Sequence, residues 1–301
     1  MDRLAAAVKA LVAAVALALA AAAPAEAAWP GAEGRLSFVT VRDGKQQTRV
    51  GRLDLRPSRR IAWYRPLPAG LHRASGYAQW DPSGRRMIFQ HVSRGFEIRT
   101  ARGRLVRRFG VNELYWPSWS PDGRLIVAGD LSAHPVRRLA ILRPDGEVVR
   151  RIGLAATRNA VVSPRWSPSG RWIVYEEPTP HGPRVRRVAV SGAGGDRRLA
   201  DGALPTWSPD GSRIAFASGP DVFTMLPDGS ARRRVARSRQ RDAGIAGLAW
   251  SPRGDRIAFV RQDSVDAHHS STVVTVPATG GRERVERRTE RFVASIDWQP
   301  R

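Results

Sequence analysis

Cysteine is absent from the 301 residues, lysine is nearly absent, and long apolar runs are scarce. Without cysteine the fold cannot be cross-linked by disulfides or anchored through a lipidated thiol, so it must be stable through packing alone. The apolar run from Leu11 to Ala23 is too short to span a bilayer comfortably, and no second run follows it. With 42% hydrophobic residues, the chain can still form a sizeable core. These features predict a soluble globular protein.

The first residues have the features of a secretory signal peptide. A charged start with Arg3 and Lys9 precedes the apolar run, and the small-residue site Ala25-Glu26-Ala27 follows it. We expect cleavage before Ala28. The predicted organisation is therefore a signal peptide over residues 1–27 and one folded domain over residues 28–301, secreted or periplasmic.

A short motif built around tryptophan recurs along the rest of the chain. The spacing runs from 39 residues (Trp80 to Trp119) to 48 residues (Trp250 to Trp298), which is typical of four-stranded propeller blades. No repeat has sustained helical periodicity. The copies are WDPSGRRMIF from Trp80, WSPDGRLIV from Trp119, WSPSGRWIV from Trp166, WSPDGSRIAF from Trp207, WSPRGDRIAF from Trp250 and the truncated WQPR from Trp298.

The chemistry of the motif predicts a strand, a tight turn and a second strand. Proline presets the first turn position, aspartate or serine can bond the local backbone, and glycine takes the left-handed conformation. The segment after the turn is apolar on both faces, as expected for a strand between two other sheets. The large tryptophan ring is expected to fill the space between neighbouring blades.

The truncated last copy matches an incomplete repeat near the start of the chain. The segment GRLSFVTV from Gly34 resembles the strand that follows a motif turn, yet no tryptophan strand precedes it. We therefore predict that Ala294 to Trp298 supplies the first strand of a blade whose other three strands come from residues 34–64. The expected fold is an all-β, six-bladed propeller whose ring is closed by pairing the two terminal strands.

The Trp-Ser-Pro-Asp-Gly-x-x-Ile-Ala-Phe repeat resembles the WD40-like repeat of TolB-type β-propellers, which also occurs in dipeptidyl-peptidase-type and acylaminoacyl-peptidase-type enzymes. The resemblance covers nearly all of the chain after the signal peptide and implies the propeller fold. TolB itself is periplasmic and binds partner proteins through its propeller. However, the stretch between Ala28 and Gly34 is too short for the α/β domain of TolB, and the chain lacks the Gly-x-Ser-x-Gly elbow of a hydrolase domain. The resemblance therefore implies neither the activity of TolB nor that of the peptidases for this chain.

One face of the predicted disc carries the connections between second and third strands and those between blades; we call it the loop face. All six histidines are expected on it or at its margin, together with carboxylates such as Asp130, Glu176 and Glu177. Such groups could bind a metal or act in acid and base chemistry, but no local ligand spacing appears, and histidine is common in solvated loops. We predict no metal, no cofactor and no catalytic residue. The candidate binding residues on this face are Tyr115, Trp116, His134, His181, Asp263, His268 and His269.

The positive charge is large, with a formal net charge of +23, and nearly all of it is arginine. Arginine pairs recur on the fourth strand of the repeats, the predicted outer edge of each blade, where charge discourages edge-to-edge aggregation. The bias is also compatible with GC-rich codon usage. A functional interpretation is a basic belt that attracts anionic envelope polymers or lipid headgroups. Its candidate contacts are Arg150, Arg151, Arg197 and Arg198.

Three functions fit these observations. The favoured one is an exported, non-enzymatic β-propeller that binds a protein or an envelope ligand through its loop face and channel mouth. The alternatives are an extracellular lactonase-like or lyase-like propeller enzyme with a polar site at the channel mouth, and an arginine-rich adhesion module for anionic envelope polymers. We expect a monomer with a protein partner or a cell-envelope polymer, peripheral membrane contact at most, and no specific nucleic acid, because no nucleic-acid motif is present.

Overall fold

The structure, a computed structural model, is composed of β-strands joined by turns. It describes residues 36–42, 45–51, 57–63, 77–91, 95–110, 113–132, 138–154, 160–193, 195–238, 244–263, 270–289 and 292–300. The predicted signal peptide lies outside the described residues. Within the described ranges, no helix has the length and apolar character needed to cross a bilayer.

Within the residues that the structure describes, twenty-four strands form six four-stranded antiparallel sheets. The terminal sheet combines β1 (Leu36–Arg42), β2 (Lys45–Gly51) and β3 (Pro57–Trp63) with β24 (Phe292–Trp298), in the order β24-β1-β2-β3. The other five sheets each use four consecutive strands. Blade 1 has β4 (Tyr77–Trp80), β5 (Arg86–His91), β6 (Gly95–Thr100) and β7 (Leu105–Phe109). Blade 2 has β8 (Leu114–Trp119), β9 (Ile126–Asp130), β10 (Arg138–Leu142) and β11 (Val148–Gly153), and blade 3 has β12 (Val162–Trp166), β13 (Trp172–Glu177), β14 (Arg184–Ala189) and β15 (Asp196–Asp201). Blade 4 has β16 (Ala203–Trp207), β17 (Ile214–Ser218), β18 (Asp221–Met225) and β19 (Arg233–Ala236), and blade 5 has β20 (Gly244–Trp250), β21 (Arg256–Asp263), β22 (Ser270–Pro277) and β23 (Arg284–Thr289). The predicted all-β propeller with four-stranded blades is confirmed.

The motif turns have the predicted geometry. In blade 2, the amide of Gly123 donates to the carbonyl of Ser120 at 2.9 Å, and Gly123 has a φ of 68°. The Ser120 hydroxyl accepts the amide of Leu125 at 2.8 Å, and the Asp122 carboxylate accepts the amide of Arg124 at 3.0 Å. Glycine avoids the steric penalty of positive φ, while the serine and aspartate satisfy amides that the hairpin leaves unpaired. The motif therefore sets the strand register locally.

The motif tryptophans pack between neighbouring blades, as predicted. Trp119 is 1% exposed and belongs to the same buried cluster as Ile88 and Phe96 of the preceding blade. Trp207, also 1% exposed, belongs to one buried cluster with Val174 of blade 3. A buried aromatic side chain of this size supplies a large share of the apolar area between two sheets.

The first strands of the sheets contact one another in sequence. β4 contacts β8, β8 contacts β12, β12 contacts β16, β16 contacts β20, β20 contacts β24, and β24 contacts β4. β24 also pairs with β1, with Trp298 opposite Leu36 and Asp297 opposite Ser37. The two ends of the described chain therefore share one sheet that lies between blade 5 and blade 1.

Candidate functional site

The first strand of each sheet has one edge without a neighbouring strand, so its buried amides need other partners. Side chains from the preceding sheet supply some of them. The Asp297 carboxylate accepts the amide of Trp80 at 2.8 Å, and the Gln79 side-chain oxygen accepts the amide of Trp119 at 2.9 Å. Asp297 and Gln79 each stand immediately before a motif tryptophan, and both are at most 4% exposed. These polar groups around the propeller axis hold neighbouring sheets together.

A β-bulge lies three residues before the motif tryptophan in blades 2, 3 and 4. Trp116, Ser163 and Leu204 have φ values of 55°, 53° and 55°, and the strand register shifts beside each. Positive φ is uncommon outside glycine. Because three blades repeat the feature, we interpret it as part of the fold rather than as the mark of a site.

Two side chains accept hydrogen bonds from the backbone amides of bulge residues; one is a neutral side-chain amide and the other a carboxyl group. The Gln90 oxygen accepts the amide of Trp116 at 2.7 Å, and the Glu176 carboxylate accepts the amide of Leu204 at 2.9 Å. Glu176 is only 1% exposed. Burial raises the pKa of Glu176 to about 7, while the hydrogen bond from Leu204 opposes the rise. This carboxyl therefore titrates near neutral pH inside the protein.

Aromatic and cationic side chains meet where blades 1, 2 and 3 approach the axis. Tyr77, Trp116 and Val162 form one buried apolar cluster, and Tyr115 packs against it half-buried. The Arg165 side chain is fully buried and donates to the Tyr77 hydroxyl at 2.6 Å. Its guanidinium also lies 5.4 Å from the centroid of the Tyr77 ring. We call these five residues the axial cluster.

The sequence predicted two members of the axial cluster, Tyr115 and Trp116, as binding residues, but not Tyr77, Val162 or Arg165. Tyr77 and Arg165 stand in first strands, where the position before the motif tryptophan and the position three before it recur as partly polar sites. That periodic signal could have identified the position of Tyr77, but it does not distinguish Arg165 from the exposed arginines. The burial of Arg165 depends on contact with a strand 88 residues away, which no local pattern shows.

Tyr115 and Trp116 lie within strand β8, which corrects their predicted loop placement. The bulge explains the difference, because it lets proline follow Trp116 without ending the strand. Trp116 is 6% exposed and Tyr115 is half-buried, so Tyr115 is the more accessible of the two. Burial, followed by the nearby charge of Glu113, raises the pKa of Tyr115. The phenol therefore stays protonated at neutral pH.

His181 lies, as predicted, in the exposed turn between β13 and β14, and its amide donates to the Thr179 hydroxyl at 3.2 Å. Asp263 ends strand β21. His134, His268 and His269 lie outside the described residues. Among the residues that are described, no group of three or more histidine, aspartate or glutamate side chains has the arrangement of a metal site. Of the predicted loop-face residues that the structure describes, Tyr115 and Trp116 are brought together in the axial cluster.

The carboxylates expected on the polar loop face are buried instead. Asp130, Glu176 and Glu177 are at most 2% exposed, because each ends or nearly ends a second strand that lies between two sheets. Asp130 accepts a bond from Arg151 at 2.9 Å, and Glu177 pairs with Arg186 at 3.2 Å. Hydrogen bonds from Ser132 and Arg151, together with the charge of Arg138, hold the pKa of Asp130 below its usual value despite burial. Asp130 and Glu177 therefore belong to structural ion pairs, whereas Glu176 accepts only the backbone amide of Leu204 among the described contacts.

The arginine pairs lie on outer strands as predicted, but several are already partnered. Arg150 and Arg151 are in β11 and Arg197 and Arg198 are in β15, the last strands of their sheets. Arg151 pairs with Asp130, and Arg198 pairs with Asp201 at 2.5 Å. All four side chains are exposed. The basic belt is therefore partly neutralised by carboxylates of its own blades.

Solved structures identify the architecture. A protein from Agrobacterium tumefaciens assigned as TolB superposes with a TM-score of 0.65 at 19% identity, covering 89% of this chain and 99% of that one. The chain has the TolB-type β-propeller fold. TolB from Acinetobacter baumannii gives a TM-score of 0.61 at 16% identity, with coverage of 89% and 67%. A chain of a nidogen–laminin complex gives 0.59 at 14% identity, with coverage of 88% and 98%.

Comparisons of sequence found no match for this TolB-type propeller. No model of a known protein family matches the chain, and no curated protein matches its sequence. At identities below 20%, the structural similarity establishes the fold, and function has to be argued from the site.

Proposed function

We propose that this protein is an exported, non-enzymatic β-propeller that binds a protein partner in the cell envelope through its loop face and channel mouth. The proposal includes removal of residues 1–27 and closure of the six sheets into one ring by β24. Support for closure comes from the pairing of β24 with β1 and from the contact of β24 with both β20 and β4. A closed ring would hold the axial cluster in a fixed geometry.

The axial cluster is the observation that carries the binding proposal. It combines aromatic rings with a guanidinium, the side chains that most often dominate protein interfaces. Tyr115 is partly accessible at its margin, so it can contact a partner while the buried Trp116 and Tyr77 support it. A rigid aromatic anchor of this kind loses little conformational entropy on binding.

The structural relatives support a protein partner. One relative is a chain in a complex of nidogen with laminin, so a propeller of this shape occurs in a protein–protein assembly. The resemblance of the repeat to TolB supports an envelope location. The arginine belt would add a weaker, salt-sensitive attraction to anionic envelope polymers or lipid headgroups, because Arg150 and Arg197 are exposed.

The test is affinity capture from a bacterial envelope extract, followed by measurement of Kd for the purified partner. Tyr115→Ala combined with His181→Ala should weaken binding about tenfold or more, as expected for loss of an aromatic anchor. Arg150→Gln combined with Arg197→Gln should weaken it less, and the difference should shrink as salt rises from 50 to 300 mM. Binding that is lost with the arginine pair but unchanged by the loop pair would refute the proposed surface.

A further inference from the structure

A cleft with an excess of arginine lies between blades 4 and 5, away from the axial cluster. It has a volume of about 750 Å³ and is lined by β19 and the following residues on one wall and by strands of blade 5 on the other. Arg234 and Arg237 belong to the first wall, and Arg261 and Arg288 belong to the second. Glu283 is the one carboxylate among the described lining residues.

The register of blade 5 places its contribution on one face of the sheet. Arg261 of β21 pairs with Thr272 of β22, and Thr272 pairs with Arg288 of β23. Residues directly opposite each other in antiparallel strands point to the same side, so these three form a row across the cleft wall. The Arg261 guanidinium also lies 5.3 Å from the centroid of the Phe259 ring, which fixes its position.

The cleft arginines differ in how far their charge is already compensated. Arg261 contacts the Glu283 oxygens at 3.0 and 3.2 Å, and Arg234 lies 3.3 Å from Asp221. Arg237 and Arg288, which are both exposed, have no ion pair with any carboxylate that the structure describes. The Nε–H of Arg261 is buried and has no acceptor among the described residues. The cleft therefore offers donors and positive charge from both walls.

Some arginines in other blades are compensated by buried carboxylates, unlike Arg237 and Arg288. In blade 1 the fully buried Glu97 accepts from both Arg99 and Arg108, at 2.9 and 2.8 Å. In blade 3, Arg186 is held by Glu177 and Asp196 together. These three arginines are paired with buried carboxylates, whereas Arg237 and Arg288 of the cleft have no ion pair with any described carboxylate.

We propose that the cleft binds a phosphate monoester of a small polar molecule, such as a sugar phosphate. A single guanidinium can pair with both oxygens of a planar carboxylate, as Arg261 does with Glu283. Guanidinium groups on opposite walls, Arg237 and Arg288, instead suit an anion whose oxygens point in several directions, which is the geometry of phosphate. The volume lies within the range of about 300–1,000 Å³ of small-molecule sites, so it leaves room for the rest of the ligand.

Titration calorimetry with glucose 6-phosphate at physiological salt tests the proposal, with glucose, glucuronate and inorganic phosphate as comparison probes. Glucose 6-phosphate should bind most tightly, and glucose should not bind. Arg237→Gln combined with Arg288→Gln should weaken binding about tenfold or more, since each charge-assisted hydrogen bond contributes that order. Glu283→Gln should tighten binding, because it removes a competing negative charge and releases Arg261.

The control is Arg102→Gln combined with Arg253→Gln, which removes the same charge from two exposed turns outside the cleft. Its affinity should stay within about twofold of the unmodified protein, because distant exposed charges are screened. Equal weakening by both pairs, equal affinity for glucuronate, or no binding of glucose 6-phosphate would overturn the proposal. Melting curves of all variants show whether the fold is retained. The result is independent of the loop-face partner, since no cleft residue belongs to the axial cluster.

Discussion

Replacing Glu176 with glutamine should make the protein more stable at neutral and alkaline pH. The carboxylate accepts the Leu204 amide from a site that is 1% exposed, and burial raises its pKa from 4.5 to about 7. Glutamine keeps an acceptor oxygen at the same place and carries no charge. Gln90 of blade 1 already accepts the equivalent bond from the amide of Trp116 in blade 2, so the fold tolerates a side-chain amide at such a position.

The direction of the pH effect follows from the raised pKa. Between about pH 4.5 and pH 7 the folded protein holds a proton that the unfolded chain has released, so stability falls as pH rises through this window and levels off above it. A shift from 4.5 to about 7 corresponds to roughly 3 kcal/mol of unfolding free energy. Glu176→Gln should recover up to that amount at pH 8, which is roughly 5–10 °C in Tm.

Urea denaturation of both proteins at pH 5, 6, 7 and 8 measures the effect. The variant should lose the part of the pH dependence that lies between pH 5 and 7, and the two curves should converge towards pH 5. The reverse change in blade 1, Gln90→Glu, should introduce a buried carboxyl and lower stability at pH 8. If Glu176→Gln leaves the slope against pH unchanged, or lowers stability at pH 8, then Glu176 is not a buried neutral-range acid.

Two further substitutions test packing and pairing between sheets. Asp297→Ala should lower the unfolding free energy by about 1–3 kcal/mol, because it leaves the buried Trp80 amide without its acceptor. Asp297→Asn keeps an acceptor oxygen and should lower it less. Equal losses for the two variants in urea denaturation would contradict this account. Gly129→Ala should also destabilise by about 1–3 kcal/mol, because its methyl group would overlap the Val161 carbonyl oxygen of the next blade. Gly153→Ala, which meets no atom within 4 Å, is the matched control and should change Tm little.

The sequence could predict the blades because each blade is specified locally. The Pro-Asp-Gly turn determines where two strands reverse, as the positive φ of Gly123 and the bonds of Ser120 show. Strand length and apolar content then follow from the residues beside the turn. The tryptophan packing could also be predicted, since a large ring that recurs once per blade is best buried between neighbouring blades.

The candidate site depended on contacts between distant segments, which local patterns do not contain. Asp130, Glu176 and Glu177 have the composition of solvated loop ends, yet sheets on both sides bury them and pair or neutralise their charge. Arg165 could not be distinguished from the many exposed arginines, because its burial arises from Tyr77 in another blade.

The sequence by itself determined the repeat, the turns, the strands and the matching half-motifs at the two ends. Those features depend on interactions within a few residues. Only the tertiary structure decided which charges are buried, which arginines are already paired, and where arginine exceeds carboxylate, as it does between Arg237 and Arg288. Burial and ion pairing depend on the neighbouring sheet, and packing between sheets joins residues that are far apart in the chain.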